Sequence, residues 1–195
     1  MKGIKLIAAL FLPVLTFAQE LPDLKLDLFP EVFEEYKPMQ TEGNEIGMII
    51  SIQSLNPATT TYYIRMKNGQ PLSYKSVYRD FPWDAANEVV NEVQLTKEQT
   101  EALYAQLFKA DKLDELLKFV MPDFNVSDDS ECFILDGMGV NITVIQYNKV
   151  AHLYCYEPYF RYRGCPDDKT INRPAMKAFV EVMDEILKTL NIQPE

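Results

Sequence analysis

His152 is the only histidine among 195 residues, and Cys132, Cys155 and Cys165 are the only cysteines. Any Ser-His or Cys-His nucleophile scheme must therefore run through one imidazole, and a His-rich metal centre lacks ligands. His152 alternates with Tyr154 and Tyr156 in a strand-like stretch, opposite Ala151, Leu153 and Cys155; with an acid beside it, the ring could act as a general base. Glu34, Glu35, Asp84, Glu88, Asp128 and Asp129 offer carboxylates, but no spacing among them selects a pair. GxSxG, HExxH, phosphate-loop and dinucleotide fingerprints are absent from the sequence. An unrecognised hydrolase using carboxylates and His152 is thus the second expectation rather than the first, and no cofactor or metal is expected.

The densest group of contact-forming side chains is Tyr156, Tyr159, Phe160, Arg161, Tyr162 and Arg163. Tyrosine and arginine combine large area with a polar end and dominate binding hot spots, so the loop 156–164 reads as a recognition surface for a protein, peptide or glycan. An equal alternative is that these aromatics fold back over the sheet beside His152 and Tyr154. A Cys155–Cys165 disulfide is expected to staple this loop. Cys132 is expected to be a buried free thiol, because the outer strands of a three-strand meander lie roughly 9.5 Å apart, beyond disulfide reach. Asp123, Asn125, Ser127 and Asp129 alternate like the opening of a calcium loop, yet Asp128 stands where the turn needs Gly and Ile134 where the bidentate Glu belongs. An exposed acidic linker is the expectation there.

Residues 1–18 have the layout of a secretory leader: Lys2 and Lys5, an apolar run over 6–17 broken by Pro13, and a small-residue exit at Ala18. The run is too short for the roughly 20 residues that cross a bilayer. Removal of this segment, with two lysines and no acids, would take the charge from −10 to −12. Such acidity argues against a phosphate-backbone binder, so nucleic acid is not an expected partner. Export to a secreted or periplasmic location without a transmembrane segment is the expectation.

These side chains require a scaffold. Residues 19–45 read as an acidic, Pro-punctuated arm with Leu24, Leu26 and Leu28 alternating and a short helix after Pro30. Residues 46–195 read as a single α+β domain. Met48–Gln53 and Thr60–Met66 are β-branched and aromatic and form a hairpin across the turn residues Ser54–Ala58; Leu72–Val77 is a further strand. Thr96 and Gln99 make a capping box for a first helix, Lys112–Val120 is a second, and Arg173–Leu190 carries an apolar stripe from Met176 to Leu190. Cys132–Asp136, Val140–Tyr147 and Val150–Tyr156 read as a three-strand meander. The sum is an antiparallel sheet, hairpin plus meander, packed by two or three helices.

The leader ending Phe17-Ala18-Gln19, with no lipid-anchor cysteine after it, resembles exported proteins of Bacteroidota bacteria. Asp136-Gly137 before a strand pair, the strand end Tyr156-Glu157-Pro158 and the closing helix are similar to small secreted bacterial proteins of unknown function. The sequence departs from that pattern where Val140 and Asn141 replace the aromatic usual after Asp-Gly, and the resemblance implies no activity, cofactor or site residue. The leading functional expectation is a secreted or periplasmic binding or accessory protein, in contact with a cell-envelope partner through loop 156–164.

Overall fold

The computed structural model describes residues 21–28, 45–53, 58–67, 72–80, 85–125, 130, 132, 134 and 137–192. The leader, the helix after Pro30, Trp83 and most of the acidic linker fall outside them.

Among the described residues the chain forms seven strands and three α-helices: β1 (Asp27–Leu28), β2 (Glu45–Gln53), β3 (Thr59–Lys67), β4 (Ser73–Arg79), β5 (Val89–Gln94), α1 (Lys97–Tyr104), α2 (Lys112–Leu116), β6 (Gly139–Gln146), β7 (Lys149–Tyr156) and α3 (Arg173–Thr189). All strand pairs are antiparallel, in the order β1-β7-β6-β2-β3-β4-β5. This is the expected α+β class. After β1 at one edge, the chain enters the middle of the sheet at β2, walks out to β5 at the other edge, crosses one face through α1 and α2, and returns on the other side of β2 as β6 and β7.

Alternation along the strands sorts the two faces. Ile46, Met48 and Ile50 of β2, Ile64 and Met66 of β3, and Ile142 and Val144 of β6 are buried towards the helices. Met176, Phe179, Met183 and Ile186 of α3 close over them, with Phe124 and Phe179 rings 5.3 Å apart. Asn172 caps α3 and Pro174 lies in its first turn, where a missing N–H costs nothing. The Thr96–Gln99 capping box is present at α1. Gln99 Nε2 also donates to the Thr189 carbonyl at 3.1 Å, tying α1 to the end of α3. Tyr104 donates to the Lys67 carbonyl at 2.8 Å, and burial pushes its phenol up to about 12.

Four expectations change. The disulfide joins Cys132 to Cys165, with Cα atoms 6.0 Å apart, and Cys155 is the free cysteine. Cys155 points with Leu153 to the core, where its Sγ lies 3.3 Å from Met176 Sδ and burial raises the thiol to about 12; it faces away from the loop it was expected to staple. Cys132 and Ile134 belong to no strand, and β6 has β2 on the edge assigned to the first meander strand, so the separation that excluded Cys132 does not apply. The second helix stops at Leu116, and Pro122 sits in a separate 3-10 turn, Met121–Phe124. β5 was not expected at all.

Candidate functional site

Loop 156–164 is a folded-back turn. Glu157 takes a left-handed φ of 51°, its N–H donates to the Met138 carbonyl at 2.7 Å, and its carboxylate accepts from the Met138 N–H. Gly137 N–H donates to Tyr156 Oη at 2.6 Å. A Cβ on Gly137 would collide with the Glu157 side chain, which accounts for glycine there. Pro158 is buried, and Phe160–Gly164 winds as a wide turn.

Each tyrosine of this turn meets an arginine: Arg161 lies over Tyr156 at 5.9 Å, Arg163 over Tyr159 at 5.1 Å, and Arg173 over Tyr162 at 5.4 Å. Such contacts contribute about 0.5–1 kcal/mol each at exposed sites. Tyr159 Oη also donates to Asp184 Oδ1 of α3 at 2.5 Å, and burial first, then that bond, raises its phenol. Arg161 Nε donates to the Tyr156 carbonyl at 2.8 Å, while Arg173 bonds the Tyr162 and Cys165 carbonyls. Of the six residues singled out, Phe160, 45% exposed, and Arg163 project most to solvent.

His152 lies on the outer face, its Nδ1 2.8 Å from Thr143 Oγ1 on β6. Of the carboxylates named as candidates for a catalytic pair, Glu88 is among the described residues, and it binds Arg79. Asp123 accepts from the Val120 N–H and from Asn172 Nδ2, so its two oxygens serve the turn and the start of α3.

Sequence reasoning passed over the outer face of β3, β4 and β5. There the chain forms an open cavity of about 410 Å³ lined by Tyr63, Arg65, Ser73, Lys75, Arg79, Glu88 and Glu92, with Gly47 contributing no side chain to its floor. Tyr63 packs against the cluster of Ile49, Ile145 and Val150, which fixes its ring. Arg79 gives both Nε and Nη2 to Glu88 Oε2 at 2.9 and 2.7 Å. Arg65 and Lys67 share Glu45 at 3.7 and 2.5 Å. Lys75 stands between its register partners Tyr63 and Glu92. The polar outward phase of Tyr63-Arg65-Lys67 and Ser73-Lys75 was visible in the sequence; the pairing that brings the strands together was not.

No family model matches the chain, and neither a curated protein nor a solved structure is significantly similar to it.

Proposed function

We propose that the chain is a secreted or periplasmic binding protein whose ligand is a glycan, held in the outer-face cavity. The observation that carries this reading is the cavity's composition: a fixed aromatic ring, Tyr63, ringed by Arg65, Lys75 and Arg79 as donors and Glu88 and Glu92 as acceptors. A sugar presents a flat apolar face to a ring and vicinal hydroxyls that both donate and accept, which planar guanidinium and carboxylate groups match. About 410 Å³ falls within the range of small-ligand sites. Because the ion pairs Arg79–Glu88 and Arg65–Glu45 hold the arginines in place, little ordering is left for binding. The leader-like residues 1–18, the Bacteroidota-type resemblance and the disulfide support an exported location.

Calorimetric titration of the purified protein with neutral and uronic-acid oligosaccharides tests this. Binding by at least one class, lost in Tyr63→Ala and weakened at least tenfold in Lys75→Ala, is expected. No heat with any oligosaccharide, or binding indifferent to both substitutions, would overturn it.

Contact with a protein partner through loop 156–164 is the second reading, favoured by the exposure of Phe160 beside Arg163. Its test is Phe160→Ser with Arg163→Ala, because Tyr159 and Tyr162 also hold the fold and their loss would confuse the result.

A further inference from the structure

The two edges of the sheet differ. One ends in β1, two residues long, as protected edges do; the other ends in β5, six residues long, all exposed, paired in unbroken register with β4 alone among the described strands. Natural edge strands are blunted by proline, charged side chains, a bulge or shortness, and of these β5 carries only the single carboxylate of Glu92. Exposed apolar area collects on it. Of the seven large hydrophobics exposed among the described residues, Tyr78, Val89, Val90 and Val93 belong to the β4–β5 pair.

We propose that β5 is the seam of a symmetric dimer, in which β5 of a second copy pairs antiparallel with it about a two-fold axis passing through Asn91, perpendicular to the sheet. Such an axis keeps each face on its own side, so opposed residues must share a face and the axis must pass through a residue. An axis through Glu92 sets that carboxylate against its own copy, and like charges directly opposite are destabilising. Through Asn91, Val89 opposes Val93 and Val93 opposes Val89 on the face that carries Tyr74 and Tyr78, two neutral amides meet at the axis, and Glu92 faces Val90. The strand is self-complementary in that register and no other central one. Charge and apolar matching thus select a second copy as the occupant. Both cavities would open on the same face of the joined sheet, yet the dimer does not depend on what they bind. A six-residue seam is below the roughly 1,200 Å² of stable interfaces, so the dimer is a weak one.

Sedimentation of the purified protein across about 10–500 µM is expected to show reversible dimerisation in this weak range. The register is read by cross-linking. Directly opposed residues have Cα atoms about 4.5–5.5 Å apart, within disulfide range, so Asn91→Cys should yield a covalent dimer on oxidation. Val89→Cys should not, since residue 89 and its copy stand four residues, about 13 Å, apart along the seam. With Cys132 bonded to Cys165 and Cys155 buried, no native thiol competes. Asn91→Lys and Asn91→Glu should each be monomeric, and their equimolar mixture should regain the dimer at least tenfold more readily than either alone. A monomer at every concentration, equal cross-linking at 89 and 91, or cross-linking of Asn91→Cys to a different chain would overturn the proposal. Loss of dimerisation with oligosaccharide binding intact would separate this failure from that of the binding reading.

Discussion

Tyr159 Oη and Asp184 Oδ1 lie 2.5 Å apart, joining the turn after β7 to the exposed flank of α3, and Arg163 closes the group by touching both the Tyr159 ring and the Asp184 carboxylate. The turn that carries the most aromatic surface in the sequence is therefore anchored by that surface. A hydroxyl given to a carboxylate on the core helix does for this loop what a strand pairing does elsewhere.

Alkaline stability should report this contact. The folded Tyr159 phenol ionises above its ordinary value of 10, through burial and then its bond to Asp184. A raised folded pKa contributes stability that is complete below the unfolded value and is lost as pH rises past it. Unfolding free energy should therefore fall above about pH 10. Tyr159→Phe should cost about 1 kcal/mol at neutral pH and show a shallower alkaline decline, with the buried Cys155 thiol and the raised phenols of Tyr104, Tyr62 and Tyr154 supplying the remainder. A decline unchanged in Tyr159→Phe would show that the bond does not hold in solution.

Non-reducing peptide mapping should recover one linked pair, Cys132 with Cys165, and a Cys155 thiol that alkylates only after denaturation. With the bonded cysteines 33 positions apart in sequence, Cys165→Ser should lower stability by about 3–4 kcal/mol through release of chain entropy in the unfolded state. Recovery of a Cys155–Cys165 peptide would refute the pairing.

The contrast between these cysteines shows what could be read from sequence. Residue parity already set Cys155 with Leu153, on the face opposite His152, and that phase alone argued for a core position. A Cys155–Cys165 staple rests on sequence proximity alone, whereas the bond joins Cys165 to a cysteine 33 positions earlier in the chain. Local signals were legible: the Thr96–Gln99 box and the α3 stripe are written within one or two turns. Val89–Gln94 was not, since an edge strand open on both faces has no burial pattern, and Asn91 and Glu92 disfavour strand by propensity. The cavity was invisible for another reason: Tyr63, Arg65, Lys75 and Arg79 come from separate strands, and only pairing register sets them side by side.

Among the described residues Asp168 should be the most acidic carboxyl in an NMR titration, with a midpoint near 2. Ser130 is the first cause, followed by the hydroxyl and N–H of Thr170 at 2.7 and 2.8 Å. A depressed folded pKa gives stability that is present above the unfolded value and lost as pH falls through the folded one. Acid destabilisation from this group should thus run from about pH 4 down to about 2. Ser130→Ala should move the midpoint upward, and since Ser130 Oγ also accepts from the Cys132 N–H at 3.1 Å, it should loosen the segment beside the disulfide. A midpoint near 4 in the unsubstituted protein would contradict the hydrogen-bond set.

Gln146 holds the arm on the sheet by both ends of one amide. Its Oε1 accepts from the Leu24 N–H at 2.7 Å and its Nε2 donates to the Pro22 carbonyl at 2.8 Å, while the residue itself is 2% exposed. Gln146→Ala leaves the buried Leu24 N–H without a partner, at a cost of about 1–3 kcal/mol, and the half-buried Pro22 carbonyl without its donor. Escape from that penalty requires the arm to leave the sheet, which would expose Leu24, a buried side chain worth about 1.5–3 kcal/mol. The two costs are similar, so partial release is expected. Hydrogen exchange at Leu24 and Leu26 should accelerate markedly in Gln146→Ala while the β2–β6 ladder stays protected. Gln146→Glu should behave in the same way above the pKa of its carboxyl, because a carboxylate keeps the bond to Leu24 but sets a negative oxygen against the Pro22 carbonyl. Unchanged protection at Leu24 in both variants would mean that β1 pairing, not Gln146, retains the arm.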